Sequence, residues 1–462
     1  MVTKIILQKL AEIVGEENLS TSPEELLSYS YDGTGQEFLP EAVAFPGCTD
    51  DISRIMVLAN KEKFPVVVRG AGTGMTGGAL PVMGGLVLAM SRLNRIIEID
   101  QANQIAVVEP GVINGHLRNK LNPLGLFYPP DPASLNFCTL GGNIAECAGG
   151  PSAVKYGVTR DYVLGLEVVL ADGRIIKTGC RTAKGVVGYD LTRLFVGSEG
   201  TLGVITRIIL KLLPLPSSAT TFMVSCRSMF QAASLVRLVL DRQRPRTLEF
   251  MDNTAVSLVR DRLPYSLPPK TAALLLIEVD GSDISVKNQA DALAEFLDQQ
   301  DVLDYQRADN KTDADILWQA RRAVSPAAFD LRPDKISEDV VVPRSRIPEL
   351  VDFVEGLSRK HNLPVFTFGH AGDGNIHVNI MLDKKNPDEL EQAEAATKSL
   401  FSEVIRLSGT LSGEHGIGNT KADFLPLELS GTTINLMQEI KKLFDPDNIL
   451  NPGKIFPASS RQ

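Results

Sequence analysis

The chain has 462 residues, 44% of them hydrophobic and 22% charged, and carries a net charge of −9. Single cores rarely serve more than roughly 250 residues, so two or more domains are expected. The acidic balance and the lack of a long Lys/Arg run speak against a nucleic-acid partner, which calls for a basic patch, and the apolar content is that of a globular chain.

From the N-terminus, Met1 to Leu19 places apolar residues at helical spacing, interrupted by Lys4, Lys9, Glu12, Glu16 and Glu17. This predicts an amphipathic helix rather than a secretory signal. A second helix is expected from Ser22, with Pro23 at its first position and Glu25 completing a capping box. An amphipathic stretch follows Pro46, through Asp51, Ile52, Ile55, Met56 and Ala59. Val66–Val68 reads as a buried strand, and further strands are expected at Leu86–Ala89, Arg95–Ile99 and Ile105–Val108. Glycine and proline crowd the stretch from Gly125 to Gly150. Strands follow at Gly165–Leu170, at Arg174–Lys177 after an Asp172-Gly173 turn, and at Val204–Leu210.

Pro214, Pro216, Ser217 and Ser218 mark a domain boundary. Beyond it, helices (Met229–Asp241, Ile284–Gln299) alternate with strands (Thr221–Ser225, Ala273–Val279), the texture of an α+β domain with an antiparallel sheet. A last helix is expected over Thr433–Leu443. The longest apolar runs, Leu86–Met90 and Ala272–Ile277, are far below the roughly 20 residues of a membrane span. None of the five cysteines (Cys48, Cys138, Cys147, Cys180, Cys226) forms a C-x-x-C pair or joins a Cys/His cluster, so no iron–sulfur or structural zinc site is expected in the chain. Free thiols suit a cytoplasmic protein, with peripheral attachment to the inner membrane through partners left open.

Gly72-Thr73-Gly74-Met75-Thr76-Gly77 is a literal G-x-G-x-x-G after a strand, with Glu98 further on as the dinucleotide fingerprint asks. The required context is missing. A dinucleotide loop opens a helix, whereas Pro81 and Gly84-Gly85 oppose one here and the chain returns to a strand. Such a loop is either a flexible turn or a nest of N–H groups for phosphate. The entropy cost of so many glycines favours the nest.

Arg69-Gly70-Ala71-Gly72-Thr73-Gly74-Met75-Thr76-Gly77-Gly78 resembles the pyrophosphate loop of the vanillyl-alcohol oxidase/p-cresol methylhydroxylase (PCMH-type) FAD superfamily. Pro129-Pro130-Asp131-Pro132-Ala133-Ser134, Thr139-Leu140-Gly141-Gly142-Asn143, the run Gly197 to Thr206 and Asn451-Pro452-Gly453-Lys454 match in the same order. The resemblance is strongest to the branch holding the flavin subunit of glycolate oxidase, D-lactate dehydrogenase and D-2-hydroxyglutarate dehydrogenase. It implies an α+β protein: a PCMH-type FAD-binding domain of two subdomains over residues 1–216, then an α+β cap over 217–462 whose end returns to the FAD domain. It implies FAD contacts from Arg69, Gly70, Ala71, Gly72, Thr73, Gly74, Gly77 and Gly78, from Pro130, Asp131, Ser134, Thr139, Gly142, Asn143 and Gly149, and from Glu199, Gly203, Ile205 and Asn451. Relatives that attach FAD covalently use a histidine in the glycine loop. Thr73 stands there in this chain, which implies noncovalent FAD.

Of the five histidines, His370, His377 and His415 lie in two glycine-rich segments, Gly369 to Asn379 and Ser412 to Gly418. Alternation in Asn375 to Ile380 puts Asn375, His377 and Asn379 on one side of a strand. A tight reversal after His370 could bring its ring to His377. Two imidazoles and a carboxylate suit a divalent ion (Zn, Mn or Fe), with Glu414 the expected third ligand and Asp373 its rival. His415 is expected to be the general base, and His116 and His361 have no assigned role. The resemblance implies that Arg321, Ser325 and Lys335 contact a substrate carboxylate, with Asn379 beside them and Arg322 as the fallback. The implied activity is FAD-dependent oxidation of a small D-2-hydroxy acid, glycolate or D-lactate, with electrons passed to an iron–sulfur subunit, an electron-transfer flavoprotein or a quinone. D-2-hydroxyglutarate oxidation and a non-catalytic FAD subunit are the alternatives within the family. An NAD-dependent dehydrogenase and a metal hydrolase are the alternatives outside it.

Overall fold

The computed structural model describes Met1–Pro457, so the last residues of the expected cap domain lie outside the described chain. The described residues form two compact units. One comprises Met1–Gly149, Val158–Leu215 and the chain from Glu414 onward; the other comprises Gly150–Gly157 and Pro216–Gly413.

In the first unit, the helix Lys4–Val14 buries Ile6, Leu10 and Val14, spaced four apart along one face. Thr3 caps it by accepting from the Ile6 N–H. The helix Thr49–Glu62 buries Ile52, Ile55, Met56 and Ala59 in the same core. These helices pack on a sheet of β1 (Leu19–Ser20), β2 (Ala42–Ala44), β3 (Val66–Arg69) and β4 (Leu86–Ala89), in the order β1-β2-β4-β3. β2 and β3 run parallel to β4. Ala42, Ala44, Val66, Leu86 and Leu88 join one core, and Val43, Val67, Val87 and Ala89 a second. Burial on both faces explains why these strands read as solid apolar runs without alternation. The capping box expected at Ser22 is half formed. Ser22 Oγ accepts from the Glu25 N–H at 3.3 Å, but the Ser22 N–H is taken by Ser20 Oγ at 3.2 Å.

Downstream come β5 (Ile96–Asp100), β6 (Ile105–Val108), β7 (Leu126–Phe127), β8 (Val163–Val169), β9 (Ile175–Gly179), β10 (Val204–Lys211) and β11 (Leu213–Pro214). Five of them form an antiparallel sheet in the order β5-β6-β10-β8-β9, and β7 pairs with β11. The expected Asp172-Gly173 turn joins β8 to β9, with Gly173 at φ +86°. Within the glycine- and proline-rich stretch Gly125 to Gly150, Leu140–Glu146 forms a helix. Thr139 caps it, and Gly141 permits the approach: a Cβ there would lie 2.6 Å from Pro110 Cβ.

The second unit is built on an antiparallel sheet of β12 (Ser218–Cys226), β13 (Thr247–Met251), β14 (Ala273–Gly281), β15 (Asp304–Ala308), β16 (Asp334–Val341), β17 (Val365–His370) and β18 (Asn375–Leu382). Its order is β15-β12-β14-β13-β17-β18-β16. The helices Asn253–Val259 and Lys311–Ala327 cover one face, packing on Met251, Leu274, Leu276, Phe366, Phe368 and Met381. The alternate residues Phe250, Leu275, Ile277, Ile376 and Val378 are buried as well, and the helices Met229–Leu240, Asp283–Asp298, Ile347–His361 and Pro387–Arg406 also pack in this unit. Gly150–Gly157 belongs here through polar contacts. Lys155 pairs with the buried Asp280 carboxylate, the Tyr156 hydroxyl donates to Asp280 Oδ2 at 2.8 Å, and Arg246 donates to Ser152 Oγ at 3.3 Å. No helix among the described residues is long and apolar enough to cross a membrane.

Asp252 ties two parts of this unit together. Its carboxylate caps the helix Asn253–Val259 through the Ala255 N–H at 2.8 Å and accepts the Thr367 hydroxyl at 2.9 Å. Burial outweighs these donors and pushes the carboxyl up to about 6. A carboxyl raised above its unfolded value of about 4 binds its proton more tightly when folded. Its contribution is therefore full below about pH 4 and is lost as pH rises through about 6, a change on the order of 3 kcal/mol. The stability difference between wild type and Asp252→Asn is expected to shift against wild type across that window. Denaturant titrations followed by Trp318, the single tryptophan and a member of the same unit, report it; a difference independent of pH would contradict the assignment.

Candidate active site

In the first unit the chain leaves β3 at Arg69 and reaches β4 with no helix between them. Among the described residues, no N–H from Ala71 to Ala79 donates a hydrogen bond. Such a run of unpaired donors is costly unless solvent or a ligand accepts from it. The loop is held from outside. Gly77 has φ +81°, and a Cβ there would collide with Asn419 Oδ1; one on Gly70 would collide with Thr139 Oγ1. Asn451 Nδ2 donates to the Gly78 carbonyl at 2.8 Å and to the Glu199 carbonyl at 2.7 Å. The Glu199 carboxylate in turn accepts from the Ile417 and Gly418 N–H groups, each at 2.7 Å.

Arg69 is buried; its Nη2 donates to the Tyr31 carbonyl at 2.7 Å, and its Nη1 has no partner among the described residues. Ala71 and Thr73 are exposed, and Gly72 and Gly74 partly so. The Pro130 carbonyl accepts from Asn114 at 3.1 Å, Ser134 closes a turn onto Phe137 and Cys138, and Asp131 is half-buried. Thr139 Oγ1 accepts from the Gly142 N–H at 3.2 Å, and Asn143, on the same helix, is buried with Nδ2 unpaired among the described residues. Gly203 abuts Val168, Ile205 is buried on β10, and a Cβ on Gly149 would collide with the Glu414 carboxylate. Sequence reasoning missed Glu146. Burial and then the neighbouring Glu199 charge push its carboxyl well above the ordinary value, and burial raises Glu199 too. Glu414 and His415 belong to this unit, and the His415 carbonyl accepts from Thr76 Oγ1 at 2.9 Å.

The open N–H run, the capped helix and the orphaned Asn143 and Arg69 donors suit an anionic pyrophosphate and a heterocycle rich in acceptors, as in FAD. Thr73 offers no imidazole for attachment, and the first histidine in the chain is His116. Acid precipitation is therefore expected to leave the flavin in the supernatant. Yellow colour retained by the denatured protein would contradict noncovalent binding.

The second unit carries the other expected residues. The β17–β18 reversal, with Gly374 at φ +91°, sets His370 opposite Asn375 and Phe368 opposite His377. The two imidazoles meet edge to face, Nε2 to Nε2, at 3.4 Å. A tetrahedral ion at about 2.05 Å from each nitrogen would separate them by roughly 3.3 Å, so the pair fits a divalent metal. The opposite nitrogens face carboxylates. His370 Nδ1 is hydrogen-bonded to Glu249, and His377 Nδ1 lies 3.8 Å from Asp339 Oδ1. Asp339 also accepts from the Gly413 N–H at 2.9 Å. Burial opposes ionisation of Glu249, but His370 and Arg321 outweigh it and hold the carboxyl below its ordinary value.

Arg321 and Ser325 stand four residues apart on one helix face. Arg321 Nε donates to Glu249 Oε2 at 2.9 Å, and its guanidinium stacks 4.1 Å from the centre of the Phe368 ring. Lys335 donates to Ser325 Oγ at 3.0 Å, and burial lowers its pKa. Ser337 donates to Asn379 Oδ1 at 3.0 Å, and Asn379 donates to the His377 carbonyl at 3.3 Å. Arg321, Ser325, Lys335, Asn379, His370 and His377 thus share one side of the sheet. Arg322 does not join them; it is exposed and donates to the Asp315 carbonyl. Asp373 is exposed in the turn, where it accepts from the Asn375 N–H. Glu249 and Asp339 are the residues that sequence reasoning missed here. The available signals were a lone carboxylate in the apolar run Leu248-Glu249-Phe250 and the Ser337/Asp339 alternation.

Residues 40–179 match the FAD binding domain, and residues 215–455 match the C-terminal domain of FAD linked oxidases. The glycolate oxidase subunit GlcD of Bacillus subtilis is 44% identical, over 100% of this chain and 99% of its own. A D-lactate dehydrogenase of Anaerostipes hadrus is 33% identical, over 98% of each chain. The chain belongs to the FAD-linked oxidases. Among solved structures, p-cresol methylhydroxylase with substrate bound superposes with a TM-score of 0.82 at 18% identity, covering 99% of this chain and 97% of that one, a likeness of fold. The FAD-linked oxidase is therefore an FAD-dependent oxidoreductase with the expected PCMH-type α+β architecture. Its literal G-x-G-x-x-G lies inside an FAD-binding domain, which removes the reason for an NAD-dependent reading.

Proposed function

We propose that this FAD-linked oxidase converts a small D-2-hydroxy acid, glycolate or D-lactate, to the 2-oxo acid. The observation that carries the reading is the gathering of Arg321, Ser325 and Lys335 on the sheet face that bears the paired imidazoles of His370 and His377. Cations beside a metal-competent pair suit a molecule with a carboxylate next to a hydroxyl. Relatives named glycolate oxidase subunit and D-lactate dehydrogenase support the same substrate class.

Arg321 and Lys335 bind the carboxylate, and Ser325 and Asn379 orient the groups around it. His370, His377 and Glu414 would hold a divalent ion (Zn, Mn or Fe), whose chemistry as a Lewis acid makes the 2-hydroxyl more acidic; Glu414 as third ligand rests on the sequence reading. His415 accepts the hydroxyl proton. Bound FAD supplies the acceptor for the two electrons and the hydrogen that leave C2. The cysteine spacing offers no cluster within the chain, so the electrons pass on to a separate acceptor: an iron–sulfur subunit, an electron-transfer flavoprotein or a quinone.

Anaerobic mixing with D- and L-2-hydroxy acids tests the reading. Glycolate or D-lactate is expected to bleach the flavin, and L-lactate is not. Bleaching by D-2-hydroxyglutarate alone would move the substrate to the longer diacid. Bleaching by none of the panel would end the proposal.

A further inference from the structure

The alternation of β13 sends Leu248 and Phe250 to one side of the sheet and leaves Glu249 on the other, with its side chain fully buried. A buried carboxylate is tolerated when both oxygens are paired. Here the two oxygens serve two different residues of the proposed site. Oε1 pairs with His370 Nδ1, and Oε2 accepts from Arg321 Nε at 2.9 Å.

The two contacts have separate consequences. A proton on His370 Nδ1, donated to Glu249, leaves the Nε2 lone pair directed towards His377, the tautomer that a metal ligand needs. A bond at Arg321 Nε, with the ring of Phe368 at 4.1 Å, fixes the guanidinium plane. Nη1 and Nη2 of Arg321 make no protein hydrogen bond among the described residues, which leaves the fork available to a carboxylate. Asp339, the other carboxylate at the imidazole pair, is held by the Asn375 side chain at 2.5 Å and the Gly413 N–H at 2.9 Å.

We propose that Glu249 is a positioning residue that sets the metal ligand His370 and the carboxylate anchor Arg321 through one side chain, so that metal affinity and substrate-carboxylate binding are coupled. The inference rests on the proposed hydroxy-acid chemistry and adds to it a link between its two binding elements.

The test uses the FAD-loaded protein. Zn²⁺ affinity is measured by competition with a chromophoric chelator, and KM and kcat are measured with the acid that bleaches the wild type. In Glu249→Gln, an NH2 group replaces one of the two oxygens, so one of His370 Nδ1 and Arg321 Nε faces a donor in place of its acceptor. The zinc dissociation constant is expected to rise roughly ten- to a hundredfold, and KM to rise more than kcat falls. Arg321→Lys breaks only the second contact, yet it is expected to weaken zinc binding several-fold. That effect should vanish in the Glu249→Gln background, a non-additivity that a purely structural role would not produce. Zinc affinity within twofold of wild type in Arg321→Lys overturns the coupling, and this variant decides the matter if Glu249→Gln fails to fold. The wild type serves as the control for the underlying reading: no zinc binding and no bleaching there would overturn both, whereas a normal wild type with indifferent variants overturns the role of Glu249 alone.

Discussion

Replacing His415 by Asn is expected to slow flavin reduction by roughly two to four orders of magnitude, the usual worth of a positioned general base, while FAD stays bound. The backbone contacts of this segment with Thr76 and Glu199 do not depend on the imidazole. The contact that His415 makes with Thr76 runs through the His415 backbone carbonyl, which Asn retains. Gly413 and Gly416, which flank the Glu414-His415 pair, are untouched, and the Ile417 and Gly418 N–H groups remain on Glu199. Loss of FAD or of the fold would therefore assign His415 a structural duty. Loss of metal with FAD retained would make it a ligand. Rapid-mixing flavin reduction and metal analysis on one sample separate these outcomes, and a near wild-type rate at neutral pH would end the assignment.

Stripping divalent metal, or replacing His377 by Ala, is expected to lower hydroxy-acid oxidation by at least about a hundredfold, equivalent to about 3 kcal/mol of transition-state stabilisation. Flavin content should not change. His370 and His377 belong to the second unit, whereas the open N–H loop, Asn143 and Asn451 belong to the first. The variant removes one of two rings whose Nε2 atoms face each other at 3.4 Å, with carboxylates behind both. Full activity in rigorously metal-free wild type would refute the metal assignment, and parallel loss of flavin would show that the two sites are not independent.

Several features were legible because they are encoded locally. The strand Asn375–Leu382 shows the period of two that puts His377 and Asn379 on one side. Pro81 and Gly84-Gly85 ruled out a helix after the glycine loop, and none forms before Leu86. The helix Leu140–Glu146 was hidden because its two glycines lower helix propensity; packing of Gly141 against Pro110 and the Thr139 cap override that local preference. The capping box at Ser22 is only half formed, because a nearby Ser20 hydroxyl takes the Ser22 N–H.

The sequence by itself carried the residue types behind the proposed chemistry: a glycine-rich loop without a following helix, histidines and a carboxylate in glycine-rich segments, and basic residues following the only tryptophan. It also determined which residues lie on a common face wherever they share a strand or a helix, because those periods are properties of the local backbone. Partnership between distant elements was decided only by the tertiary structure. Glu249 meets His370 across 121 positions because β13 pairs with β17 in one register, and a slip of one residue would turn the carboxylate to the opposite side. Asn451 reaches Gly78 across 373 positions because the chain end runs beside β3. Such pairings are selected by the packing of whole layers, and no short stretch of residues carries that information.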